Sequence, residues 1–117
     1  MATSVLIVDD HPSFRATARA LLEAEGLTVV GEAEDGEGAI EGWRELRPDV
    51  VLLDIQLPDL DGFEVARRLS ANGSAPAIVL VSSRDASDYG DLITTCGARG
   101  FVAKDELTGA ALRALLE

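Results

Sequence analysis

Apolar residues gather in five short runs: Ser4–Val8, Leu27–Ala33, Asp49–Leu53, Ala77–Val81 and Arg99–Ala103. Each is five to seven residues long, the length of a strand. Between them lie stretches in which apolar residues return every three or four positions, the spacing of one helix face. Pro12 suits a first helical position, with Asp10 or His11 before it as cap. Phe14, Ala18, Leu21 and Leu22 then fall on one face, and Gly26 ends the helix. Glu37–Arg47 predicts a second helix burying Ala39, Ile40, Trp43 and Leu46, weakened by Gly38 and Gly42 and stopped at Pro48. Gly62–Ala71 predicts a third, with Phe63, Ala66 and Leu69 inward and Glu64 within one turn of Arg67 and Arg68.

Ala86–Cys96 predicts a fourth helix. Gly90, Ile93, Thr94 and Thr95 are poor helix formers, so this helix is expected to be marginal and mobile. Leu107–Leu116 closes the chain, with Leu112, Leu115 and Leu116 at core-like spacing.

Regular strand–helix alternation predicts a parallel sheet covered by helices on both faces. Five units are too few for an eight-fold barrel, which leaves an open, doubly wound sheet in an α/β fold. Asp49–Leu53 is the most continuously apolar run and belongs at the centre. In such a sheet the ligand site lies at the C-terminal edge of the strands.

Composition narrows the function. The 117 residues fit one domain, and 47% hydrophobic content argues against disorder. The longest apolar runs are too short to cross a bilayer, and the start MATSVLIVDD reads as a strand and not as a signal peptide. The single cysteine, Cys96, cannot form an internal disulfide and is expected to be a buried apolar residue. A reducing cytoplasm is the expected compartment. One histidine and no CxxC make a zinc site improbable. Net charge is −11, from 21 acids against 10 bases, a surface that repels nucleic acid and anionic membranes.

The chemistry sits where the strands end. Asp9 and Asp10 follow VLIV, Asp54 follows VVLL, Ser82 follows IVLV and Lys104 follows GFVA. One sheet edge would therefore collect three carboxylates, a hydroxyl and an ammonium. Clustered carboxylates repel and call for a cation, for which a hard, oxygen-seeking ion such as Mg²⁺ is suited.

Each residue also has a plain structural reading. Asp9 and Asp10 could be one helix cap and one solvated acid, or a metal-binding pair. Asp54 could be a turn residue of DIQLPDLDG, or a nucleophile that accepts a phosphoryl group as an acyl phosphate. Lys104 alone reads as a surface lysine, Ser82 alone as a cap, and Phe101 as a half-buried strand residue. Together the polar residues make a phosphoryl-transfer set.

On these residues the chain resembles the receiver domain of two-component response regulators over its whole length, 1–117. The resemblance rests on the acid pair in VDDHPSFR, the acceptor in VVLLDIQLPDLDG, Ser82 in IVLVSS, and Phe101 and Lys104 in GARGFVAK. DDHP, VVGEA and GARGFVAK further resemble the LuxR/NarL-type subgroup, whose receivers precede a C-terminal helix-turn-helix DNA-binding domain. The resemblance implies a flavodoxin-like (βα)5 sheet with strand order 2-1-3-4-5. It implies that a sensor histidine kinase phosphorylates Asp54, with Mg²⁺ or Mn²⁺ as cofactor. Asp10 and Asp54 would bind the metal by side chain, Gln56 by its backbone carbonyl and Asp9 through water. Ser82 and Lys104 would pair with the phosphoryl oxygens, and Phe101 would be an aromatic switch. Phe101 lacks the hydroxyl of the commoner Tyr, so it would signal through packing. Gln56 and Arg84 would govern access of water to the acyl phosphate.

The output would be conformational, controlling transcription, with a phosphorylation-dependent homodimer as a further expectation. The chain is either a stand-alone receiver or a longer regulator cut at its linker, and the subgroup resemblance favours the second. Other classes fit less well. A phosphatase or mutase with an aspartyl nucleophile would carry an acid at position 56, where this chain has Gln56, and would need a cap domain. A flavodoxin would want aromatics around its flavin, and only 4% of residues are aromatic. A degenerate, phosphorylation-independent receiver would have lost some of the key residues, and all are present.

Overall fold

The structure, a computed structural model, describes residues 3–71 and 75–116. Five strands, β1 (Ser4–Val8), β2 (Thr28–Ala33), β3 (Val50–Asp54), β4 (Ala77–Ser82) and β5 (Gly100–Ala103), form one parallel sheet in the order β2-β1-β3-β4-β5. The predicted strands and their order are present, with ends moved by one residue. The most apolar run, VVLLD of β3, lies at the centre and is buried throughout.

Helices cover both faces. On one side α1 (Pro12–Ala24) and α5 (Gly109–Leu116) pack Ala18, Leu22 and Leu112 against Val5, Ile7, Leu52 and Val79. On the other, α2 (Gly36–Leu46) and α3 (Gly62–Ser70) pack Ala39, Trp43, Phe63 and Leu69 against Leu6, Val51, Leu53 and Leu80. Alternate strand residues thus point to opposite faces, and both faces are apolar, which is why the runs are continuous and not alternating.

Two helix faces are narrower than their spacing predicts. Leu21 and Leu46 are exposed, although they share a period with Leu22 and Trp43. Leu46 still lies along the edge strand, its Cδ1 2.7 Å from where a Cβ on Gly31 would stand, but that edge is open to solvent. His11 occupies the cap position of α1, but neither it nor Asp10 bonds the helix amides by side chain. Glu64 does pair with Arg67 and Arg68.

The predicted fourth helix over Ala86–Cys96 is not continuous. Ala86–Asp88 makes one 3-10 turn, the chain turns through Gly90 at φ +58°, and only Leu92–Thr95 (α4) is α-helical. The hydroxyls of Thr94 and Thr95 both bond the Asp91 carbonyl, competing with the backbone amides for it. A second 3-10 turn, Lys104–Glu106, takes up the residues after β5, so α5 begins at Gly109 and not at Leu107. Cys96 is buried, as expected.

Candidate functional site

Adjacent parallel strands deliver their last residues to one edge. Val8 pairs with Leu53 across β1 and β3, so Asp9 and Asp54 leave the sheet side by side. Asp54 pairs with Val81, which places Ser82 one step beyond it, and Ser82 pairs with Ala103, which places Lys104 next. Asp9, Asp54 and Ser82 are the only buried polar or charged residues among those described. A fold that hides its polar side chains so sparingly has concentrated them in one place.

The charges are tightly arranged. Lys104 Nζ lies 2.6 Å from Asp9 Oδ2 and 3.5 Å from Asp54 Oδ2, so one ammonium serves two carboxylates. Its alkyl stem reaches the site over the Phe14 ring, with Nζ 4.6 Å from the ring centre. Asp9 Oδ1 accepts the His11 backbone N–H at 2.8 Å. The His11 ring Nδ1 stands 3.0 Å from both Asp9 Oδ1 and Asp10 Oδ1. Asp54 Oδ1 accepts the Gln56 backbone N–H at 3.2 Å, which sets the Gln56 backbone against the carboxylate. Burial, and after it the charge of Asp9, push the Asp54 carboxyl up from 3.8 to about 6; Lys104 and the Gln56 N–H pull the other way.

The donor set suits a hard cation. Asp9, Asp10, His11 and Asp54 offer ligand atoms that all lie within 4.8 Å of one another. Asp9 Oδ2 is buried, and among the described residues it has no hydrogen-bond donor: the Lys104 contact has the distance of an ion pair without the angles of a hydrogen bond. Carboxylate oxygens so placed fit Mg²⁺ or Mn²⁺.

The loop after Asp54 is fixed by two residues. Gly62 N–H bonds the Ile55 carbonyl at 2.7 Å, and a Cβ on Gly62 would stand 2.5 Å from the Asp54 carbonyl oxygen. Only glycine lets α3 start this close to the end of β3. Asp59 accepts the Gly36 and Glu37 backbone amides at 2.7 and 3.0 Å and so caps α2 from a distant loop. Those bonds, the Gly36 one foremost, hold its carboxyl below the usual range. The adjacent Gly38 amide is capped by Asp35.

Of the residues expected from sequence, Asp9, Asp10, Asp54 and Lys104 are brought together, with the Gln56 backbone beside them. Ser82 is buried at the same edge; its Oγ accepts the Arg84 backbone N–H at 3.1 Å. The Arg84 and Gln56 residues themselves are exposed at the rim. Phe101 is half-buried in β5, further from the carboxylates, and packs on the α2–α3 side of the core. In sequence His11 reads only as a cap candidate and Phe14 only as a helix-face residue, and neither Asp59 nor Tyr89 stands out. Tyr89, the one tyrosine in the chain, places its hydroxyl 2.6 Å from Ser82 Oγ. Asp59 acts 22 and 23 residues away in sequence, beyond any local spacing rule, and Tyr89 meets Ser82 where the predicted fourth helix is broken.

Comparison with known proteins places this arrangement. The family described as "Response regulator receiver domain" matches residues 5–117. The chain is 40% identical over 106 residues to the transcription regulator of virulence factors BvgA from Bordetella pertussis, covering 91% of this chain and 51% of BvgA. It is 36% identical over 114 residues to the response regulator GacA from Pseudomonas aeruginosa, covering 97% of this chain and 51% of GacA. The chain thus spans about half the length of these relatives. Among solved structures, the signal receiver domain of the response regulator NarL from Mycobacterium tuberculosis superposes with a TM-score of 0.86 at 35% identity, covering 98% of this chain and 97% of that one.

Proposed function

The chain belongs to the response regulator receiver domain family, and on that premise we propose that it is a phosphorylation-controlled switch with Asp54 as its acceptor. The observation that carries the reading is the buried Asp54 carboxylate, sharing the Lys104 ammonium with Asp9 at the C-terminal edge of the sheet. An Asp54 oxygen attacks the phosphorus of a histidine kinase's phosphohistidine. The new O–P bond makes an acyl phosphate, the P–N bond breaks, and the imidazole leaves with its electron pair and takes up a proton.

The attacking carboxylate must be ionised, and burial opposes that. Lys104 favours the ionised form. Asp9, Asp10 and Asp54 would hold Mg²⁺ or Mn²⁺, with the Gln56 backbone carbonyl as a further ligand. The bound ion supplies charge neutralisation for the phosphoryl oxygens. Once Asp54 is modified, Lys104 is released from one of its two carboxylates and pairs with a phosphoryl oxygen, and Ser82 donates its hydroxyl to another. Phe101, on the neighbouring strand, adjusts its packing when Ser82 shifts. Gln56 and Arg84 stand at the rim and set how easily water reaches the acyl phosphate.

The reaction is a slow self-catalysed transfer, not enzymatic turnover. The partner is a cognate sensor histidine kinase in the cytoplasm, with a phosphorylation-dependent homodimer as the second partner. No described helix is long and apolar enough to cross a membrane. By its similarity to BvgA and GacA, the segment serves a longer transcription regulator of the LuxR/NarL type. A charge of −11 leaves DNA contact to another part of that regulator. Acetyl phosphate and Mg²⁺ test the reading: intact mass should show one added phosphoryl group, not formed when a chelator is present from the start and absent from Asp54→Asn. An adduct that persists in the variant would move the acceptor elsewhere.

A further inference from the structure

From position 83 to position 95 the chain is exposed except at Tyr89 and Ile93, which both pack on the α2–α3 side of the core. Tyr89 is the better anchored of the two. Its ring meets Phe63 edge-on, centroids 5.5 Å apart, and is tilted against Phe101 at 6.2 Å. Its hydroxyl end reaches the buried Ser82 Oγ at 2.6 Å. One side chain therefore touches both the polar edge of the sheet and the aromatic face of β5.

The hydrogen-bond inventory at Ser82 gives this contact a direction. A serine hydroxyl has one proton and two acceptor positions. The Arg84 backbone N–H fills one acceptor position. If the Tyr89 O–H fills the other, the serine's own proton has no bonded acceptor among the described residues and is free for an incoming oxygen. The backbone on either side allows Tyr89 to follow. It is preceded by a single 3-10 turn and followed by Gly90, at φ +58° and with open space where a Cβ would stand.

We propose that Tyr89 is a positioning residue for Ser82. Its hydroxyl holds Ser82 Oγ so that the serine proton points to the phosphoryl group on Asp54, and it carries any displacement of Ser82 to Phe63 and Phe101. The proposal rests on the reading of Asp54 as phosphoacceptor. It makes Tyr89, and not Phe101 alone, the hydroxyl-bearing aromatic that senses the reaction.

Because Tyr89 is the only tyrosine, its Raman doublet, which responds to phenol hydrogen bonding, is free of overlap. The chain is treated with acetyl phosphate and Mg²⁺, and the adduct is followed by intact mass in the same sample. The doublet should change as the adduct forms and revert as it decays. Ser82→Ala should shift the doublet before phosphorylation and abolish the further change. Tyr89→Phe keeps the ring against Phe63 and Phe101 and should alter the lifetime of the adduct by about 2- to 10-fold, the worth of one hydrogen bond. A doublet unchanged in the fully phosphorylated wild type, or equal lifetimes in wild type and Tyr89→Phe, overturns the proposal and leaves Asp54 as acceptor. No adduct at all removes both readings, so the two failures are told apart.

Discussion

Replacing Asp54 with Asn removes a buried negative charge and little volume. The Asn carbonyl can keep the Gln56 N–H bond now made to Oδ1 at 3.2 Å. Lys104 is left with Asp9, 2.6 Å away, as its one carboxylate partner. The magnitude follows from the raised carboxyl, about 6 against 3.8. Below 3.8 the group is neutral folded and unfolded, and contributes nothing. Between 3.8 and about 6 the unfolded chain loses the proton while the folded chain keeps it, so this group lowers stability as pH rises. Above about 6 the full penalty is present. Two pH units at about 1.36 kcal/mol each give roughly 3 kcal/mol as the upper value. Solvent screening at the open rim reduces it, to about 1–3 kcal/mol.

Asp54→Asn should therefore melt about 4–12 °C above the wild type at pH 7.5 in chelator, at roughly 4 °C per kcal/mol for a domain of this size. The gap should shrink to a small fraction at pH 4 and close at pH 3. Mg²⁺ should raise the wild type by binding the folded state and leave the variant nearly unmoved. Calorimetry at these pH values, with and without Mg²⁺, measures all three. Equal melting temperatures at pH 7.5 in chelator would refute the account of a strained carboxylate cluster.

Other outcomes follow from the same geometry. Lys104→Met leaves two buried carboxylates without their shared cation and should destabilise the metal-free protein by about 3 kcal/mol; urea unfolding that recovers in part on adding Mg²⁺ is the check. Asp59→Ala removes a remote cap from α2 and should cost about 1 kcal/mol at pH 7. That contribution is present above 3.8 and lost as pH falls through the lowered carboxyl value, so the cost should vanish in acid denaturation scans. Arg84→Ala should change the rate of dephosphorylation more than the rate of phosphorylation by acetyl phosphate; equal lifetimes of the two phosphorylated proteins would oppose its role at the rim.

The sheet was legible because each strand is buried on both sides, and a continuous apolar run such as VVLLD admits few other readings. The candidate site was legible for the same reason: a charge immediately after such a run has nowhere to go but the sheet edge. That logic located Asp9, Asp54, Ser82 and Lys104. It failed where contacts depend on how loops return. Asp59 bonds amides 22 and 23 residues away, and nothing local to LPDLD distinguishes it from a solvated turn acid. Helical periodicity predicted one helix over Ala86–Cys96, yet the chain breaks at Gly90, and Tyr89 just before it faces Ser82. Leu21 and Leu46 show the converse limit, since period alone does not say how wide a stripe the sheet can cover.

The central claim is that Asp54 is the residue modified. Borohydride reduces an acyl phosphate to the alcohol, so a phosphorylated aspartate becomes homoserine. The chain should be phosphorylated with acetyl phosphate and Mg²⁺, reduced, digested and sequenced by mass spectrometry. Homoserine at position 54 and at no other acid is the expected result. Homoserine at Asp9, Asp10 or Asp59, or none at any position, would contradict the account.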